Sequence, residues 1–202
     1  MDGRGEKLKA IRDELLGNDR LPLYGYRTEN KYFPVAGEGN HYAKILFIGE
    51  APGKNEAMTG RPFCGAAGRV LDQSLSEAGI ERGEVYITNI VKDRPPENRD
   101  PSPEEIEAYA PYLDRQIETI KPRVIATLGR FSMDYVMRRY GLEKAIKSIT
   151  AIRGTVFKAD ILGNETFVVP LYHPAATIYD QSKRAILKAD IKMISDLVQN
   201  EN

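Results

Sequence analysis

The chain has 202 residues, 42% of them hydrophobic, enough for one well-buried core and hence a single domain. Its 29 basic residues balance 29 acidic ones, so no global positive field advertises nucleic acid, and any such contact has to come from a local patch. The single cysteine, Cys64, excludes an internal disulfide and any cluster held by several thiolates of this chain, and it suits a reducing cytoplasm. The N-terminus is charged and amphipathic, and no apolar run approaches the ~20 residues needed to span a bilayer, so neither export nor membrane insertion is expected.

In chain order, Leu8, Ile11, Leu15 and Leu16 predict a first helix ended by Gly17, after which 21–40 reads as a tyrosine-rich irregular segment. The apolar run Ile45, Leu46, Phe47 and Ile48, stopped by Gly49, suits a strand buried on both faces. A helix is predicted over 68–78 and a second strand over 85–91, followed by a proline-rich stretch, 94–103, that is expected to be a loop and not a helix. That loop ends on a helix start: Ser102 as N-cap, Pro103 at the first helical position and Glu105 three after the cap, with the helix running to about Ile120. A third strand over 124–128 and a helix over 131–140 continue the alternation. Segments 155–158 and 166–171 are expected to pair as a hairpin around Gly163 and Asn164, before a last helix from about Ser182. The expected fold is α/β, a three-layer α/β/α domain around a central, mainly parallel four-stranded sheet. One domain over 1–202 is expected, with 1–40 supplying the N-terminal helix and irregular segment and 41–202 the core.

Open parallel sheets bind ligands beyond the carboxyl ends of their strands, which directs attention to three segments. They are Gly49-Glu50-Ala51-Pro52-Gly53, then Thr88-Asn89, then Tyr172-His173-Pro174-Ala175. The first is not a phosphate-binding loop: only three residues separate Gly49 from Gly53, Asn55 stands where a magnesium-binding hydroxyl belongs, and Pro52 lacks a backbone donor. Taken singly, each residue has a plainer reading. Glu50 suits a helix cap, Phe63 a core position, Asn89 a backbone-bonding strand residue and His173 a loop contact. Cys64 reads as a small packed hydrophobe and His41 as a surface residue.

As an ordered set these residues say more. Gly49 to Gly53 with Glu56 and Thr59-Gly60-Arg61-Pro62-Phe63, the run from Tyr86 through Asn89 to Lys92 followed by Arg94-Pro95-Pro96, and then His173-Pro174-Ala175 resemble the landmarks of the family four uracil-DNA glycosylases, in the same order. The resemblance implies hydrolysis of the N-glycosidic bond of deoxyuridine in DNA, single- or double-stranded, by a protein that is expected to be a monomer. It implies that Glu50 holds and polarises the attacking water, and that a neutral His173 donates a hydrogen bond to uracil O2 as charge accumulates there. It further implies that Gly49 and Ala51 help to form the base pocket, that Phe63 stacks on the flipped base, and that Asn89 reads its edge. Glu56 would stand near C5, where bulk excludes a methyl group. An amide can donate to O4 and accept from N3–H of uracil, whereas cytosine presents the opposite pattern. For the DNA, Arg61, Lys183 and Arg184, with Arg69, Lys188 and Lys192, are candidate phosphate contacts, and Ile178 is the candidate wedge for the emptied stack.

The chain departs from that family in one respect. Family four enzymes hold a four-iron, four-sulfur cluster on four cysteines, and here Asp93 and Tyr109 align with two of those ligands, while 18–26 offers no cysteine for the other pair. No metal and no cofactor are therefore expected, and Leu21, Leu23, Tyr24, Tyr26, Tyr109 and Tyr112 are expected to tie the N-terminal segment to the proline-rich loop as an aromatic cluster. Two other functions stay open: a glycosylase of the same superfamily for another deaminated base such as hypoxanthine or xanthine, and a uracil-DNA binder without turnover.

Overall fold

A computed structural model describes residues 3–199; residues 1, 2 and 200–202, counted above within the single domain, lie outside the described residues. The chain opens with α1 (Arg4–Gly17), whose Leu8, Ile11 and Leu15 are buried while Leu16 faces solvent. The segment expected to be irregular contains a short helix, α2 (Tyr24–Glu29), and a two-residue strand, β1 (Glu38–Gly39). Next come β2 (Ile45–Gly49), α3 (Lys54–Thr59), α4 (Ala66–Glu77) and β3 (Tyr86–Asn89). Beyond Asn89 the predicted strand leaves the regular ladder, and the Ile90 and Val91 N–H groups donate to the Gly49 and Glu50 carbonyls.

The proline-rich stretch is a loop interrupted by one 3-10 turn, Pro96–Asn98, so the expectation of no helical turn there needs correcting. Pro96 enters the first position of that turn, where its missing N–H leaves no donor unmet. The capping box then starts α5 (Pro103–Ile120): the Glu105 N–H donates to Ser102 Oγ at 3.3 Å, and the Ser102 N–H donates to Glu105 Oε2 at 2.9 Å. The chain continues through β4 (Val124–Leu128), α6 (Arg130–Arg139), the single turn α7 (Ile149–Ile152), β5 (Phe157–Ile161), β6 (Asn164–Leu171) and α8 (Gln181–Gln199). The hairpin turns on Leu162 and Gly163, both with positive φ, one residue earlier than expected.

The sheet order is β1-β3-β2-β4-β6-β5. The four central strands are parallel, as expected, but the sheet has six strands because β1 and β5 each add an antiparallel edge. Alternation along β2 sorts the layers: Leu46 and Ile48 face α1, α5 and α6, whereas Ile45 and Phe47 face α4 and α8. The three-layer arrangement follows directly. It sets the carboxyl ends of β2, β3 and β6 along one edge of the sheet, so that Glu50, Asn89 and His173 meet although more than 120 residues separate the first from the last.

Candidate active site

A cavity of about 380 Å³ opens at those strand ends. Such a volume lies at the small end of ligand pockets, about 300–1,000 Å³. Its lining includes Glu50, Ala51, Glu56, Phe63, Asn89 and His173, so the residues singled out from three separate segments share one wall. Gly49 sits beneath it: a Cβ there would run into both Asn89 Oδ1 and the Phe63 ring, so the close approach of β2 to β3 requires glycine. The register pairs Gly49 with Asn89 directly.

Each polar group is poised in its own way. Asn89 is buried and contributes to the cavity lining, and its Oδ1, shielded from solvent over Gly49, has no hydrogen-bond partner. The Glu50 carboxyl is pushed up to about 7, chiefly by burial and then by the negative Asp100, with Arg130 opposing. Asp100 and Arg130 pair at 2.9 Å at the mouth of the cavity. Burial pushes His173 down to about 4, which keeps its ring neutral near pH 7. The Ala175 N–H donates to His173 Nδ1 at 3.2 Å, which assigns the ring proton to Nε2.

Phe63 holds its place at a cost, with φ of 48°. Its ring lies 5.7 Å from that of His173, tilted by 36°. Glu56 secures the loop, its Oε1 accepting from the N–H groups of Cys64 at 2.9 Å and Gly65 at 2.8 Å. That carboxylate therefore lines the cavity and also anchors the chain that carries Phe63.

The candidate DNA contacts lie outside the cavity lining. Arg61 is paired with Glu38 at 2.8 Å, and Lys183 with Asp180 at 3.0 Å. Arg184 Nη2 reaches the Ile178 carbonyl at 3.4 Å. Lys188 and Lys192 are paired with Glu77 and Asp196, and Arg69 is exposed. Ile178 is half-buried against the core shared by α4 and α8, whereas its neighbour Tyr179 is 98% exposed.

Several residues escaped the sequence reading. Asn98, Arg99 and Asp100 line the cavity beside Pro95 from the proline-rich loop, which follows a strand end just as the Gly49 to Gly53 segment does, so the same positional rule would have flagged them. A second set lies behind the pocket. Leu21, Leu23, Tyr109 and Tyr112 do come together with Tyr24 at their edge, but Tyr26 turns away to meet Tyr32, and the segment is held by an ion pair as well as by aromatic packing. Arg27, 4% exposed, donates to both oxygens of Asp93 at 3.0 and 3.1 Å and to the carbonyls of Leu15 and Leu16. Tyr109 donates to Asp93 Oδ2 at 2.6 Å. These residues do not fit an iron–sulfur cluster: a guanidinium occupies the partner side of Asp93, and Cys64 is placed elsewhere, against Thr59. Among the described residues no group of three or more His, Cys, Asp or Glu side chains is gathered as metal ligands would be.

Comparison with known proteins agrees with this geometry. Residues 36–197 match the model described as the uracil DNA glycosylase superfamily. The chain is 46% identical over 193 residues to a type-4 uracil-DNA glycosylase of Sulfurisphaera tokodaii, covering 95% of this chain and 85% of that protein. It is 41% identical over 197 residues to the type-4 enzyme of Saccharolobus solfataricus, covering 97% and 88%, and 41% identical over 192 residues to that of Archaeoglobus fulgidus, covering 95% and 94%. With its strand-end pocket and these relatives along nearly its whole length, the chain belongs to the uracil DNA glycosylase superfamily.

Proposed function

We propose that this chain is a uracil-DNA glycosylase that hydrolyses the N-glycosidic bond of deoxyuridine in DNA, releasing uracil and leaving an abasic site. The observation that carries the reading is the convergence of Glu50, Phe63, Asn89 and His173 on one cavity at the strand ends, with Asn89 Oδ1 left without a hydrogen-bond partner. A buried acceptor without a partner costs about 1–3 kcal/mol, and N3–H of a flipped uracil removes that cost while the Asn89 amide donates to O4. Cytosine presents no donor at N3, which leaves the acceptor unmet. Phe63 stacks on the base.

Ionised Glu50 orients a water toward the sugar C1′ and opposes the positive charge that develops there. As the water oxygen bonds to C1′ and the bond to N1 breaks, the electron pair passes to the uracil ring and the water gives up a proton to Glu50. His173 Nε2–H donates to O2 of the departing anion. Because the ring is neutral, it stabilises the anion without first transferring a proton.

The partner is DNA containing uracil, single- or double-stranded, met by the chain as a monomer in the cytoplasm. Arg61, Lys183 and Arg184 exchange their present carboxylate or carbonyl partners for phosphates, which adds a salt-dependent contribution to binding. Six residues beyond His173, the exposed ring of Tyr179 suits insertion into the emptied stack better than Ile178, whose side chain is engaged in the core. The chain works without the family's cluster, since the Arg27, Asp93 and Tyr109 set supplies the tie that four thiolates would have made. Purified protein is expected to hold no stoichiometric iron, and bound iron with visible charge-transfer absorption would refute this.

The test is incubation with labelled oligonucleotides carrying one uracil, hypoxanthine, xanthine or thymine, followed by alkali to reveal abasic sites. Strand cleavage at uracil alone is expected. No release of uracil would overturn the reading, and cleavage only at a purine would move the chain to the other deaminated bases.

A further inference from the structure

Asn89 has a peculiarity as a reader of bases. Its side-chain oxygen lies over Gly49 and accepts no hydrogen bond, so no polar partner orients the amide, and the direction from which it meets a base depends on where its main chain is held. That main chain is held from behind by Lys92. This lysine is fully buried, and its Nζ donates to the Asn89 carbonyl at 2.6 Å, to Thr88 Oγ1 at 2.7 Å and to Gln116 Oε1 at 2.7 Å. Gln116, itself buried on α5, donates onward to the Ala36 carbonyl at 2.6 Å, and Thr88 donates to the same carbonyl at 2.9 Å. The Lys92 carbonyl accepts from Val35 at 2.7 Å, and the intervening Val91 N–H donates to the Glu50 carbonyl at 3.0 Å.

Among the described residues no carboxylate pairs with Lys92. A buried amine without a counter-ion is an expensive way to fill a core that methionine or leucine fills at no such cost, and a network of this kind is useful where it fixes geometry. What it fixes is the segment just after Asn89, on the base side, whose Ile90 and Val91 N–H groups bond to the Gly49 and Glu50 carbonyls on the water side. We propose that Lys92 is a positioning residue for base selection: with Gln116 it anchors the Asn89 peptide at the end of β3, and so sets the orientation in which the Asn89 amide meets uracil.

The proposal rests on Asn89 reading the base and is tested alongside it. Single-turnover excision is measured for the wild type, Lys92→Met, Gln116→Met, Asn89→Ala and the pairs of each of the first two variants with Asn89→Ala, on oligonucleotides carrying uracil, cytosine or thymine, with folding checked by circular dichroism. Misplacing a reacting partner by an ångström costs about a hundredfold. Lys92→Met is expected to lose about that much in the single-turnover rate on uracil and to narrow the preference for uracil over cytosine, with a smaller loss in the same direction for Gln116→Met. Neither change should lower the rate further once Asn89 is alanine.

A purely structural lysine would lower the melting temperature, leave the uracil preference intact and multiply with Asn89→Ala, and that outcome overturns the proposal. If Lys92→Met does not fold, Gln116→Met decides: a folded variant with wild-type rate and preference refutes the inference. Failure of the wild type to release uracil would instead remove the reading of the site, and the proposal with it.

Discussion

The strand-end pocket and the knot beneath the N-terminal helix are both made of polar side chains withdrawn from water, and they settle that cost in opposite ways. In the knot, Asp93 accepts from Arg27 and Tyr109, so that although burial raises its carboxyl, two partners pull it back. In the pocket, Asn89 Oδ1 stays unpartnered, Glu50 is left near 7 by burial, and Phe63 keeps a strained backbone. A satisfied buried network stabilises the fold, whereas unsatisfied groups at a strand end are held ready for a substrate. The contrast separates variants that should change stability from those that should change chemistry.

The largest effect is expected at the knot. Asp93→Ala strands the Arg27 guanidinium without a counter-charge, and breaking such a buried pair costs about 3–5 kcal/mol. Thermal melting should fall sharply, while excision per folded molecule at low temperature stays near wild type; a stable variant with impaired chemistry would erase the distinction. At the pocket, His173→Ala removes a donor to the departing anion and should cost about 10²–10³ in kcat with little change in melting. Tyr109→Phe keeps the ring but deletes one bond to a charged acceptor, a loss of about 1.5–3 kcal/mol readable by denaturant titration. Tyr179→Ala should weaken DNA binding by about 1–3 kcal/mol if its ring stacks on bases, as read by fluorescence anisotropy, and Ile178→Ala should affect melting more than binding.

The smallest effect is in pH. Glu50 must be ionised to accept a proton, so kcat/KM should climb as pH rises through about 7 and level off above it. Asp100 raises the Glu50 carboxyl, hence Asp100→Asn should move that limb to lower pH, and loss of the opposing cation in Arg130→Gln should move it higher. His173, at about 4, contributes no limb in this range. A profile unmoved by both changes would show that neither charge is felt at Glu50 in the complex with DNA.

How much of this could be read without coordinates differs between the two regions. The parallel core, the capping box at Ser102 and the segments ending at Gly49, Asn89 and His173 were legible, because period-two burial, N-cap chemistry and the position of loops after strands are local properties of the chain. The β5 edge was legible as one arm of the hairpin with β6, whereas the edge strand β1 was not, because it has only two residues. Nor was the ionic partner of Asp93, although the acid and its tyrosine had been located. A carboxylate in a sequence does not state its burial, and only the fold brings Arg27, 66 residues away, to within 3.0 Å. The same holds for Lys92, which reads as an ordinary charged residue after a strand and is fully enclosed once α5 closes over it. Sequence by itself determined which residue types stand at the strand ends. Tertiary structure alone decided which of them are bonded and which are left open, because desolvation and hydrogen-bond geometry depend on neighbours distant in the chain.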